Sequence, residues 1–266
     1  MSKVLTMFKD PKKEPRRLRR GAYLLPSMFT VANMFCGWAC IVYSMRGEFA
    51  TAAPFIGFAM VLDLLDGRIA RATGATSDFG VEFDSLADVI SFGIAPATLV
   101  FSWGLQPLGQ LGWAIGFLWL TAAAVRLARF NVQRSEGSHR YFIGMPSPSA
   151  AAVPAATVFA MPELATETGT AIGAVLIVLV PALLMVSRIR FRSFNALIPG
   201  RSRSYSTPLF IAVVIAAIAA QPQIVLVVMA YSYLTSGLIG SLLSKHSSDS
   251  SEDASTHNED ESSKTA

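Results

Sequence analysis

The run Phe55-Ile-Gly-Phe-Ala-Met-Val-Leu-Asp63-Leu-Leu-Asp66-Gly67-Arg68-Ile-Ala70-Arg71, followed after a short polar link by Gly80-Val-Glu-Phe-Asp84-Ser-Leu-Ala-Asp88-Val-Ile, buries acids in two apolar stretches. An ionisable residue at the centre of a membrane span costs roughly 2.5–3.5 kcal/mol on insertion scales, so four of them require a reason. At 100° per residue, Asp63 and Asp66 fall about 60° apart on one helical face, and Asp84 and Asp88 about 40° apart on another. The link Ala72–Phe79 is short and contains Gly74, which makes the two helices antiparallel neighbours and brings the four carboxylates together.

The surrounding chain supports the membrane reading. Of 266 residues, 52% are hydrophobic and 15% charged, outside the usual soluble range. A helix needs about 20 apolar residues to cross roughly 30 Å of hydrocarbon, and eight runs qualify, at 23–45, 49–71, 83–104, 110–131, 147–162, 170–189, 205–220 and 222–244. The fifth and seventh are short and interrupted by proline. The expected fold is an all-α, polytopic membrane bundle of about eight helices with a polar cavity facing the cytoplasm.

Basic residues set the orientation, because short cytoplasmic loops are enriched in Lys and Arg. With the N-terminus inside, Lys12, Lys13, Arg16, Arg17, Arg19 and Arg20 are cytoplasmic, together with Arg68, Arg71, Arg126, Arg129, Arg134, Arg140, Arg188, Arg190, Arg192, Arg201, Arg203 and Lys245. Arg46 alone falls outside, and the outer turns Gly104–Gly109, Pro162–Thr170 and Gln221–Gln223 carry no Lys or Arg. Both termini and the acids are therefore expected on the cytoplasmic side of a cell membrane.

Three segments follow: a basic arm over 1–21, a membrane unit over 22–244, and a Ser- and acid-rich tail over 245–266 expected to be disordered. The arm sets topology and can attract anionic lipid at about 1 kcal/mol per basic residue. It lacks interleaved aromatics, which argues against nucleic acid as a partner. The first apolar run is too long for a cleavable signal and should remain as an anchor. Cys36 and Cys40, one turn apart without His partners, suit packing better than a disulfide or a zinc site.

Four converging carboxylates would repel one another in a low dielectric, and Arg68 and Arg71 supply two opposing charges. Two divalent cations would balance them. Oxygen ligands without nearby His or Cys favour Mg²⁺ or Mn²⁺ over Zn²⁺, and His139, His246 and His257 all lie outside the spans. Paired metals suit phosphoryl chemistry. The competing readings are interfacial caps with Arg partners and an ion-conducting path, but no second set of broken helices suggests a transporter repeat. Gly67 and Gly80 allow close packing or leave room for a nucleotide.

Together, Asp63-x2-Asp66-Gly67-x2-Ala70-Arg71-x8-Gly80-x3-Asp84-x3-Asp88 resembles the signature of the CDP-alcohol phosphatidyltransferase family at every signature position, over 26 residues. The resemblance implies that Asp63, Asp66 and Asp84 ligate metal, that Asp88 helps bind metal and acts as general base, and that Gly67, Ala70, Arg71 and Gly80 lie near the cytidine diphosphate. It also implies a helical membrane fold, commonly a homodimer, and attack by an alcohol on the lipid-side phosphorus of a CDP-activated lipid with release of CMP.

The continuation Asp84-Ser-Leu-Ala-Asp88-Val89-Ile-Ser91-Phe-Gly-Ile-Ala-Pro96 is similar to the branch that uses L-serine and CDP-diacylglycerol, as are Arg126-Leu-Ala-Arg129-Phe130-Asn131 and Gly144-Met-Pro146-Ser147-Pro148. Members using glycerol phosphate more often carry lysine where Val89 stands. Arg126 and Arg129 fit either a bound carboxylate or phosphate or positive-inside anchoring. Ser91 and Asn131 fit either a small polar substrate or helix packing. Other acceptors, glycerol 3-phosphate or an inositol compound, and a non-enzymatic carrier or scaffold are the alternatives.

Overall fold

The computed structural model describes residues 16–74, 77–135, 142–163, 168–187, 190–191 and 206–237. The expected tail at 245–266, most of the basic arm and all three histidines lie outside them. The described chain is helical: α1 (Arg16–Met45), α2 (Phe49–Thr73), α3 (Asp78–Asp88), α4 (Ala95–Val100), α5 (Gln110–Ser135), α6 (Ser147–Ala160), α7 (Thr168–Val186), α8 (Ser206–Ala220) and α9 (222–237). A two-residue antiparallel pair, β1 (Phe142–Ile143) with β2 (Arg190–Phe191), joins the link before α6 to the segment after α7.

Among the described residues, four stretches are long and apolar enough to cross a membrane: Ser27–Met45, Phe49–Thr73, Asp78–Leu108 and Gln110–Gln133. They correspond to the first four expected spans. The later expected spans match shorter described helices: α6 has 14 residues, and apolar helix is described over Ala171–Val186 and Ile211–Ala220. Pro154 in α6 and Pro181 in α7 remove backbone donors within helices.

The third span is a single rod with two irregular turns. Between α3 and α4 the chain makes a π-turn over Val89–Ile94, and another follows at Phe101–Leu105. Pro96 explains the first: it has no N–H for the carbonyl four residues back, that of Phe92. The Trp119 indole Nε1 on α5 donates to that carbonyl at 3.2 Å. The irregular turn thus fixes α5 against the third span.

Small residues let the helices approach. α1 packs along α2 and α2 along α6, with Cys36, Cys40, Ala52, Ala53 and Ala59 buried on α1 and α2 and Ala150, Ala151, Ala155 and Ala156 on α6, and α5 packs along α7. Both cysteines are free thiols, as packing requires. Large side chains face outward, among them Met28, Phe35, Trp38, Phe58 and Phe117, as expected where lipid rather than water is the solvent. At Gly37 a methyl group would lie 2.7 Å from Ser91 Oγ and 2.8 Å from Ser91 Cα, so only glycine allows α1 to approach the π-turn this closely.

The α2–α3 connection is as short as expected. Gly74 ends α2 in the left-handed conformation at φ 63°, its N–H donating to the Ala70 carbonyl. Ser77 caps α3, its Oγ accepting from the Gly80 N–H at 3.0 Å. These two devices turn the chain so that Asp84 of α3 reaches Asp63 and Asp66 of α2, while α3 itself packs on α1.

Candidate active site

The turn brings oxygens of Asp63 and Asp66 on α2 and Asp84 on α3 within 4.8 Å of one another. Asp66 is buried, and Asp63 and Asp84 are half-buried. Asp88, one turn beyond Asp84, is buried at 8% exposure and stands outside that trio while interacting electrostatically with all three acids. The sequence places four carboxylates together, and the structure distinguishes three clustered ones from a fourth held beside them.

The inner cation is Arg126 of α5, which interacts electrostatically with Asp63 and Asp88. Arg68 and Arg71, which the sequence offers as the opposing charges, are exposed. The Arg126 guanidinium is held on two sides: Nη1 donates to Ser147 Oγ at the start of α6 at 2.8 Å, and Cζ lies 5.4 Å from the centroid of the Phe130 ring. Gly144, at φ 89°, lets the chain enter α6 against the end of α7, where the Met145 N–H donates to the Leu184 carbonyl at 3.0 Å. That entry buries Ser147 completely.

The remaining expected site residues divide. Beside Gly67, an added methyl group would meet only the Arg71 guanidinium, at 3.7 Å, so protein packing does not require glycine there. Ala70 is half-buried on the same helix. At Gly80 an added methyl would press on the capping Ser77 Oγ at 3.1 Å, giving this glycine a local structural role. Ser91 is fully buried and its Oγ donates to the Asn33 carbonyl at 3.0 Å. Asn131 Nδ2 donates to Ser85 Oγ at 2.9 Å, tying α5 to α3 between Asp84 and Asp88. For Ser91 and Asn131 the helix-packing alternative is the one that has partners in the structure. Arg129 is half-buried on α5.

Sequence reasoning missed the contribution of α1. Thr30 Oγ1 donates to Asp66 Oδ2 at 3.2 Å, and Asn33 Nδ2 donates to Asp88 Oδ1 at 3.4 Å. The signal was present: Ser27, Thr30 and Asn33 recur every three residues in an otherwise apolar span, marking one face. A second group also went unread. Tyr233 of α9 is buried and interacts electrostatically with Arg126 of α5.

This donor set fits a hard divalent cation. Among the described residues, three carboxylates from two helices converge with oxygen ligands only, and the one guanidinium beside them does not balance the four acids. Asp63, Asp66 and Asp84 are the residues placed to hold such an ion.

The family model for CDP-alcohol phosphatidyltransferase matches residues 23–238. The chain is 43% identical over 129 residues to the CDP-diacylglycerol–serine O-phosphatidyltransferase of Helicobacter pylori (strain ATCC 700392 / 26695), covering 48% of this chain and 54% of that one. The protein of the same name in Mycobacterium tuberculosis (strain ATCC 25618 / H37Rv) is 37% identical over 142 residues, 51% and 49% of the two chains. That of Bacillus subtilis (strain 168) is 34% identical over 171 residues, 64% of this chain and 91% of the relative. The chain spans about half the length of the first two relatives and most of the third.

Proposed function

This chain belongs to the CDP-alcohol phosphatidyltransferase family, and from that premise we propose that it is a membrane enzyme transferring the phosphatidyl group of CDP-diacylglycerol to L-serine, with release of CMP. The observation that carries the reading is the trio Asp63, Asp66 and Asp84 inside 4.8 Å, with Asp88 and Arg126 beside it. The names of the relatives favour serine as acceptor.

In this reading Asp63, Asp66 and Asp84, with Asp88 adjoining, hold two divalent cations, Mg²⁺ or Mn²⁺. When bound, such ions supply positive charge to the diphosphate oxygens and stabilise the transition state. Asp88 accepts the proton of the serine hydroxyl as that oxygen bonds to the lipid-side phosphorus. The bond from phosphorus to the bridging oxygen breaks, and CMP leaves with the electron pair. Arg126, kept in place by Ser147 and Phe130, provides the fixed positive group for the serine carboxylate or the lipid phosphate. Gly67, Ala70 and Arg71 form the flank for the cytidine diphosphate, with the Arg71 guanidinium lying over Gly67 as the support. Gly80 serves it by holding the α3 cap.

The topology that accompanies this reading is multi-pass, with both termini and the acid cluster cytoplasmic, in the cell membrane and as a homodimer. The excess of Lys and Arg in the inner links supports the orientation.

A panel of alcohols tests the acceptor. Purified protein with CDP-diacylglycerol and Mn²⁺ or Mg²⁺ is expected to release CMP with L-serine. Release only with glycerol 3-phosphate or an inositol compound would replace the acceptor, and no release with any alcohol would leave a carrier or scaffold.

A further inference from the structure

We propose that Asn33, on α1, is the positioning residue for Asp88, a role that rests on reading Asp88 as the proton acceptor. Asn33 is fully buried in a span whose other face carries the lipid-exposed Met28, Val31, Phe35 and Trp38. A buried amide is costly unless its polar atoms are bonded. Nδ2 meets this by donating to Asp88 Oδ1 at 3.4 Å. Asn33 Oδ1, equally buried, has no hydrogen-bond partner among the described residues, so the contact with Asp88 is what the structure offers in return for burying this amide.

The contact is also braced. The Asn33 carbonyl accepts from Ser91 Oγ at 3.0 Å, and Ser91 lies one turn beyond Asp88 on the same rod. Gly37, one turn after Asn33, permits the helix contact that makes both bonds reachable. Asn33 is thus tied to Asp88 through its side chain and to the same helix through its backbone, which leaves the amide little room to swing.

The choice of amide has a chemical reason. Asp88 sits among three other carboxylates and the Arg126 guanidinium, so a freely rotating carboxylate would turn with whichever charge dominates. A lysine or arginine in place of Asn33 would hold Asp88 by neutralising it and would compete with metal for the cluster. A neutral N–H fixes one oxygen and leaves the negative charge for the acceptor proton. Thr30 does the same for Asp66 Oδ2 from one turn earlier on α1. The first span is therefore part of the reaction machinery although it carries no acid.

The test compares Asn33→Leu, which keeps the branched side-chain skeleton and removes the donor, with Asn33→Ser, whose hydroxyl is too short for Asp88 and can bond within its own helix. With CDP-diacylglycerol, Mn²⁺ and serine, each folded variant is expected to lose about 100-fold in kcat, with KM values and the Mn²⁺ midpoint within about twofold of wild type. Melting temperatures of Asn33→Leu, Asp88→Leu and the double variant, measured without substrate, are expected to be non-additive, the double losing less than the sum. Wild-type kcat in either variant overturns the positioning role, as do additive melting shifts with an active wild type. A wild type inert with every alcohol overturns the transfer reading itself, and the melting cycle still decides whether the contact exists.

Discussion

Replacing Gly37 with alanine reaches the site without touching an acid. The added methyl would lie 2.7 Å from Ser91 Oγ, 2.8 Å from its Cα and 3.1 Å from its amide nitrogen. Ordinary carbon contacts lie at about 3.5–4.0 Å, so α1 and the third span must separate by roughly 0.7 Å or more. Added to the 3.4 Å between Asn33 Nδ2 and Asp88 Oδ1, that displacement takes the pair beyond hydrogen-bond range. Overpacking of this kind costs about 1–3 kcal/mol. It opposes the intrinsic preference for alanine over glycine in a helix, about 0.8–1.0 kcal/mol. The control is Gly57→Ala on α2, where no atom lies within 4 Å of an added methyl and alanine should be neutral or mildly stabilising. Tryptophan fluorescence melts in detergent and CMP release with serine report the two effects. Gly37→Ala is expected to melt earlier and turn over more slowly, and adding Ser91→Ala should not rescue it, because the Ser91 Cα remains at 2.8 Å. A Gly37→Ala protein that melts and turns over like wild type would refute the reasoning.

Three further perturbations separate the parts of the site. Asp88→Asn keeps the volume and removes the proton acceptor, so turnover is expected to fall by about 10²–10⁴-fold while the protein still inserts and melts cooperatively; near-normal CMP release would count against the assignment. Asp84→Asn removes one member of the trio and should move the Mn²⁺ activation midpoint to higher concentration, an effect that an unchanged titration would deny. Gly67→Ala should leave the melting temperature unchanged or slightly raised, since only the flexible Arg71 end adjoins an added methyl, and raise KM for CDP-diacylglycerol, so an unaltered KM would remove Gly67 from the nucleotide site.

The acid pairs were legible because helical spacing and a short link suffice to bring Asp63, Asp66 and Asp84 together, and the glycine-ended turn between α2 and α3 does so. The first four spans were legible for a similar reason: each is an apolar run with clear ends. Other features depend on which helix packs beside which, and periodicity within one helix does not carry that. The positive charge was assigned to Arg68 and Arg71 because they are near in sequence, but their α2 position turns them outward and α5 brings Arg126 inward. Thr30 and Asn33 are separated from their partners by 36 and 55 residues. Their polar stripe could be seen, but not what it faced. Ser91 and Asn131 fitted both substrate binding and helix packing, because small polar residues beside an active site and those between helices look alike in sequence. The π-turns were hidden for another reason: Pro96 signals a lost donor, while its remedy, Trp119, lies on the next helix.

Transfer from CDP-diacylglycerol to serine labelled with oxygen-18 at its hydroxyl, followed by mass spectrometry of lipid and nucleotide, tests the chemistry most directly. Attack on the lipid-side phosphorus places the label in the phosphodiester of phosphatidylserine and leaves CMP unlabelled. Label in a cytidylyl product, or CMP formed without labelled lipid, would contradict phosphatidyl transfer to serine at this site.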